Sequence, residues 1–313
     1  MNKSIERIFS NKIILSGIAI LMVMLYHQPP EGLISGIYFY PAFAGVDIFL
    51  LLSGFGLCYS FNKYDLLQFY RRRLVRILPM LLLLGFLVSF NYAGYKVWDY
   101  FCNMTTLYYY HLGGDIYEWY LASLLLFYLI FPLLYKFSSI LFRRNQWLSG
   151  GGILFVWCVI MVFVTKFDIP WYYQTALGRL PIFLLGILCF FSIENYKTGL
   201  LSFAVVIPIL VFLYSKGLVN TFMLVYCVAP ILLLLISFLI PTIKRYIFIE
   251  AFIDFMGTHS LEVYAANVLI SVYIRSRFCG FEATLFYWGA HIVLIPVFCY
   301  INKLIATKII HAN

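Results

Sequence analysis

Two ionisable side chains stand where an apolar chain has least reason to carry them. His27 closes the run KIILSGIAILMVMLYH, and Asp47 lies inside the next one, AGVDIFLLLSGFGLCYSF. A carboxylate at the centre of a membrane helix costs about 2.5–3.5 kcal/mol on insertion scales, so Asp47 needs a partner or a water-filled cavity. His27 is the nearest partner in sequence and in expected depth. Such a pair suits general-base chemistry: the imidazole takes a hydroxyl proton, and the carboxylate orients the ring and stabilises the imidazolium. It also suits proton coupling in a transporter.

A second group follows at once. Arg71, Arg72, Arg73 and Arg76 form the densest charge in the chain, ahead of Pro79, which is expected to open the third span. Guanidinium suits bidentate phosphate binding. A phosphorylated ligand, anionic lipid headgroups and a plain topology signal all fit the cluster. A third group lies between Tyr92 and Tyr120, where aromatics including Trp98, Tyr108, Tyr109, Tyr110 and Trp119 are interleaved with His111, Asp115 and Glu118. Trp119 and Glu118 can stack on and hydrogen-bond a sugar, while an interfacial aromatic belt has the same composition. His259 and His291 read as structural. The cysteines show no metal-ligand spacing, so no metal site is expected. Cys102 and Cys279 fall in expected outer loops, where a pairing is conceivable.

These groups must be held by a membrane scaffold. The chain is 64% hydrophobic and 11% charged, against about 25% charged in soluble domains. A net charge of +9 does not point to nucleic acid, because the basic residues sit in short clusters between apolar runs. Spans of roughly 20 apolar residues are expected at 13–28, 36–61, 76–93, 116–136, 150–166, 178–193, 199–215, 219–241, 259–275 and 283–306. The expected fold is all-α, a single polytopic bundle over residues 1–313 with about ten transmembrane helices. With the N-terminus inside, 16 of the 22 basic residues fall on inner segments, which favours both termini cytoplasmic. The stretch 244–258 reads either as an amphipathic surface helix or as a connecting loop. Ala42, Ala44, Gly45, Ser53, Gly54 and Gly56 make the second span rich in small residues, suited to close helix packing or to ligand approach.

Taken together, the chain resembles the acyltransferase family 3 membrane proteins, mostly bacterial O-acetyltransferases of surface glycans. SGIAILMVMLYH resembles the first-span motif ending in the family's essential histidine, here His27. GVDIFLLLSGF is similar to the second-span motif and places its Asp at Asp47. FYRRRLVRILP resembles a Phe-x-x-Arg-Arg motif, here Phe69, Arg72 and Arg73. GRLPIFLLGIL and MGTHSLEVYAANVLI resemble late-span motifs, placing Arg179, Pro181, Gly186, Glu262 and Tyr264. Three departures stand out. Ser16 occupies the position, eleven residues before His27, where relatives carry Arg. The arginine pair upstream of the Phe is absent, with only Lys63 there. Asn267 stands where many relatives carry His.

The resemblance implies a bacterial cytoplasmic-membrane enzyme that moves an acetyl group from cytosolic acetyl-CoA to a hydroxyl of a surface or lipid-linked glycan. His27 and Asp47 are then catalytic. Arg71, Arg72, Arg73, Arg76 and the Ser16 position serve the donor, with Arg72 and Arg73 on its phosphates. Arg179, Glu262, Tyr264 and Asn267, with Trp119 and Glu118, serve the acceptor side. A flippase or transporter for a lipid-linked sugar or small anion, and a catalytically impaired relative, are the competing readings.

Overall fold

The computed structural model describes residues 9–28, 42–89, 97–98, 101, 119–144, 146–167, 171–192, 211–218 and 228–311. Its ten described long helices are α1 (Lys12–His27), α2 (Gly45–Lys63), α3 (Leu66–Ser89), α4 (Trp119–Arg144), α5 (Gln146–Lys166), α6 (Trp171–Phe191), α7 (Val228–Ile243), α8 (Ile247–Thr258), α9 (Ser260–Arg277) and α10 (Gly280–His311). Nine of them overlap expected spans, and α8 lies in the stretch 244–258, for which a surface helix and a connecting loop were both expected. The expected span 199–215 lies almost wholly outside the described residues. Among the described residues, three helices are long and apolar enough to cross a bilayer unaided: Ala42–Lys63, Trp119–Arg143 and Gly280–Ile305.

The distribution of side chains is that of a membrane bundle. Leu129, Leu133, Phe155, Phe238, Ile292 and Val293 are exposed, while Asp47, Arg179, Asn267, Thr284 and His291 are buried. Lipid tails are as apolar as leucine, so burial of apolar surface does not drive these helices together. Close packing at small residues and interhelical hydrogen bonds must do it.

Two glycine pairs provide the close packing. A Cβ on Gly17 of α1 would collide with the Ile253 carbonyl of α8, and one on Gly257 of α8 would collide with the Ile13 carbonyl of α1. The same reciprocity joins α2 and α6. A Cβ on Gly54 would strike the Phe183 carbonyl, and one on Gly186 would strike Leu51 O. Backbones at that distance leave no room for any side chain, which accounts physically for glycine at these four positions. Hydrogen bonds then tie the remaining layers. Trp157 Nε1 of α5 donates to Gly178 O of α6 at 2.9 Å. Tyr70 of α3 donates to Leu129 O of α4 at 2.8 Å.

Two expectations change here. The arginine cluster does not lie in a loop before a span opened by Pro79. It sits on α3, which starts at Leu66 and carries Pro79 inside it. Leu and Arg are good helix formers, and a bundle tolerates an internal Pro when neighbouring groups take up the freed carbonyl. Asp47 also moves from mid-span to the first turn of α2, because the helix starts at Gly45. The positive end of the helix dipole favours a carboxylate there. Segment 244–258 is helical at Ile247–Thr258, with Phe248, Phe252 and Phe255 exposed on one side and Ile253, Met256 and Gly257 buried on the other. Cys279 is a free thiol, and Cys102 lies outside the described residues.

Candidate functional site

The geometry begins with the carboxylate. Asp47 is fully buried, and its ion-pair partner is Arg179 of α6, with Arg179 Nε 2.9 Å from Asp47 Oδ1. The guanidinium is sandwiched between aromatic faces, 4.5 Å from the Phe43 ring centroid and 4.4 Å from that of Trp119. The expected His27–Asp47 pairing is therefore corrected: a fixed cation on α6 neutralises Asp47. A guanidinium cannot deprotonate, so it remains a counter-charge at any working pH. The physical reason lies in packing. Gly54 and Gly186 bring α2 and α6 into backbone contact, which carries Arg179 onto the first turn of α2.

His27 sits at the last turn of α1, at the same end of the bundle. Its Nδ1 is 2.8 Å from Val23 O. The tautomer that donates Nδ1–H there presents Nε2 as a lone pair. The carbonyl of Met24, on the same turn, is held by α10 and α9. The Tyr287 hydroxyl lies 2.5 Å from Met24 O and 2.5 Å from Asn267 Oδ1. One hydroxyl has one proton; with the Asn267 amide turned over, Tyr287 donates to Met24 and accepts from Asn267, which also satisfies Asn267 Nδ2. Asn267 thus braces the helix that bears His27.

Below this level a cavity of about 390 Å³ runs between α1, α2, α3, α4, α8 and α9. On α1 its lining extends from Lys12 through Ser16 to Val23, about 16 Å of helix rise. Lys12, Arg73 and Arg76 line one end; Val46, Phe49, Tyr120 and Tyr264 line the other. Arg73 Nε is buried with no hydrogen-bond acceptor among the described residues, an orphaned donor in a basic pocket. On α1 the lining ends at Val23, one turn before His27, and on α2 it runs from Val46 to Leu57 without including Asp47.

This divides the arginine cluster. Along α3, residues 69, 73, 76 and 80 share a face, and Phe69 and Met80 are buried. Arg73 and Arg76 accordingly point into the cavity. Arg72 turns away, its guanidinium 4.4 Å from the Tyr64 ring centroid, and Arg71 lines an apolar groove on the outer side of α3. Of the four arginines, Arg73 and Arg76 line the cavity, and Arg71 and Arg72 do not. Lys12 of α1 lines the same cavity.

The remaining expected residues are dispersed. Tyr264 lines the cavity, and its ring meets that of Tyr120 edge-on at 5.1 Å. Trp119 belongs with the ion pair. Glu262 is engaged by Asn302 of α10 and lies 4.0 Å from His259 Nδ1, away from His27. Glu118 lies outside the described residues, as does most of the aromatic segment 92–118. Among the described residues no cluster of His, Cys, Asp or Glu could hold a metal.

The helical bundle, the buried ion pair and the basic cavity together define a membrane-embedded polar site. The family comparison agrees with that class: a family model described as an acyltransferase domain matches residues 14–302. The chain belongs to acyltransferase family 3. No curated protein and no solved structure matches it.

Proposed function

We propose that the protein is a membrane O-acyltransferase that takes acetyl from acetyl-CoA on the cytosolic side and delivers it to a hydroxyl of a surface or lipid-linked glycan. Residence in a bacterial cytoplasmic membrane is part of this reading. The observation that carries it is the cavity with a basic mouth, an orphaned Arg73 Nε inside it, and an apolar end one turn from His27. Its volume falls within the range of about 300–1,000 Å³ of small-molecule sites.

Lys12, Arg73 and Arg76 neutralise the donor's phosphates, and the hydroxyls of Ser53, Thr258 and Ser260 lie along the path of its amide-bearing arm. His27 Nε2 takes the acceptor's hydroxyl proton as the oxygen attacks the thioester carbonyl. The carbon–sulfur bond breaks, and the departing thiolate recovers the proton. Asp47, locked to Arg179, fixes the electrostatics beside this step rather than hydrogen-bonding the imidazole.

The test uses protein in nanodiscs, labelled acetyl-CoA and a glycan acceptor. His27→Ala abolishes transfer. Arg73→Ala or Arg76→Ala raises the donor KM about 10- to 100-fold, the value of one charge-assisted contact of about 1.5–3 kcal/mol. Arg71→Ala changes it far less. Equal transfer by wild type and His27→Ala removes the catalytic role, and substrate translocation without coenzyme A release favours a transporter.

A further inference from the structure

The cavity takes Arg73 and Arg76 and leaves Arg71 on another side of α3. There Arg71 stands exposed at one end of a groove of about 710 Å³. The groove is walled by Leu74, Leu78, Pro79, Leu82 and Phe86 of α3 and by Ile305 of α10, and Arg71 is the single charged residue of its lining. The ion pairs among the described residues join other side chains, so no carboxylate among them neutralises Arg71. Arg72, next in the chain, is exposed as well and adds charge of the same sign at that end. One edge of the groove is fixed, because Tyr70, also in the lining, donates its hydroxyl to Leu129 O of α4 at 2.8 Å. From Arg71 to Phe86 the helix rises about 22 Å. One leaflet has about 15 Å of hydrocarbon and about 6 Å of headgroup region. The groove thus sets a guanidinium at phosphate level above an apolar track one leaflet deep.

We propose that this groove binds one anionic phospholipid, with its phosphate on Arg71 and one acyl chain laid along α3 toward Phe86. The lipid belongs to the leaflet on the side of the cavity's basic mouth. A guanidinium meets a phosphate through two parallel hydrogen bonds. A zwitterionic lipid offers the same phosphate, but its own ammonium offsets the attraction. One basic residue at the membrane surface favours an anionic headgroup by roughly fivefold. The groove shares no lining residue with the cavity that holds Arg73 and Arg76, so the inference does not rest on the donor assignment.

Native mass spectrometry of the detergent-solubilised protein tests this, with an equimolar mixture of phosphatidylglycerol and phosphatidylcholine of identical chains as the probe. Wild type retains one phosphatidylglycerol over phosphatidylcholine by roughly fivefold. Arg71→Ala brings the two lipids to near-equal retention, and Arg71→Lys keeps a preference. Leu78→Trp keeps the charge but fills the groove, and lowers retention of both lipids. Arg73→Ala and Arg76→Ala leave the preference where it was, which separates the groove from the cavity. Each ratio is read within one spectrum of folded protein, so differences in yield cancel. Equal retention of the two lipids by wild type overturns the proposal. So does a preference that survives both Arg71→Ala and Leu78→Trp, or one lost in Arg73→Ala or Arg76→Ala. Displacement of the bound lipid by inorganic phosphate marks a bare anion site and overturns it too.

Discussion

The ion pair between Asp47 and Arg179 makes a prediction whose sign is unusual. Removing either partner leaves a polar group in a dry interior, but the two losses are not equal. A carboxylate can shed its charge by taking up a proton, whereas a guanidinium cannot. Asp47→Leu therefore strands a permanent cation between the faces of Phe43 and Trp119. Breaking a buried pair costs about 3–5 kcal/mol, and each aromatic face returns about 1 kcal/mol, already present in the wild type. Asp47→Leu should thus cost about 3–5 kcal/mol, and Arg179→Met about 2–3 kcal/mol for a neutral buried carboxyl without a partner. The double variant removes both charges and keeps the volume apolar, so it should approach wild type. At about 2 °C per kcal/mol, the melting point falls about 6–10 °C for Asp47→Leu and about 4–6 °C for Arg179→Met. The double variant should melt above both single variants. The fold supplies the reporter: Cys58 and Cys189 are buried free thiols, so a thiol-reactive dye at one fixed scan rate reads unfolding. A double variant that melts below both single variants would refute the argument.

The remaining predictions concern the scaffold. Gly17→Ala forces α1 from α8 against the Ile253 carbonyl, and Gly186→Ala forces α6 from α2 against Leu51 O. Each should cost about 1–3 kcal/mol or more, seen as a lower melting point in the same thiol assay. Gly289→Ala, with nothing near its new methyl group, should be neutral or gain up to about 1 kcal/mol of helix propensity; equal losses at all three glycines would disprove the contact argument. Tyr287→Phe removes the bond to Met24 O and should cost about 0.5–2 kcal/mol while weakening acyl transfer more than melting. Unchanged transfer would show that α1 holds His27 without α10.

Much of this was readable from residue types, and the limits are physical. Hydropathy located nine of the described helices, three of which are long and apolar enough to cross a bilayer. The start of α2 packs beside Ala19, Met22 and Val23 of α1, below His27. The partner of Asp47 was not readable: Arg179 stands more than a hundred residues downstream, and only the meeting of Gly54 and Gly186 brings it there. The split of the arginine cluster was hidden for another reason. Adjacent helical residues differ by about 100° in direction, so once α3 is known to be continuous through Arg71–Arg76, 73 and 76 fall together and 71 and 72 do not. A charge cluster assumed to lie in a loop carries no such information.

The departure at Ser16 can now be judged on geometry instead of residue type. A serine where a family member would carry a guanidinium suggests a lost function only if no other cation serves the same space. Ser16 lines the cavity, and so does Lys12, one turn earlier on the same face of α1. Arg73 and Arg76 approach from α3 across the cavity. The cavity therefore keeps three cations from two helices, with the α1 charge moved about 6 Å toward the mouth. A lysine ammonium on a flexible stem reaches back over that distance as a point charge, where an arginine would have offered a rigid fork. The expected consequence is a donor site that still binds an anion but orients it less tightly, with the orienting task falling on the orphaned Nε of Arg73.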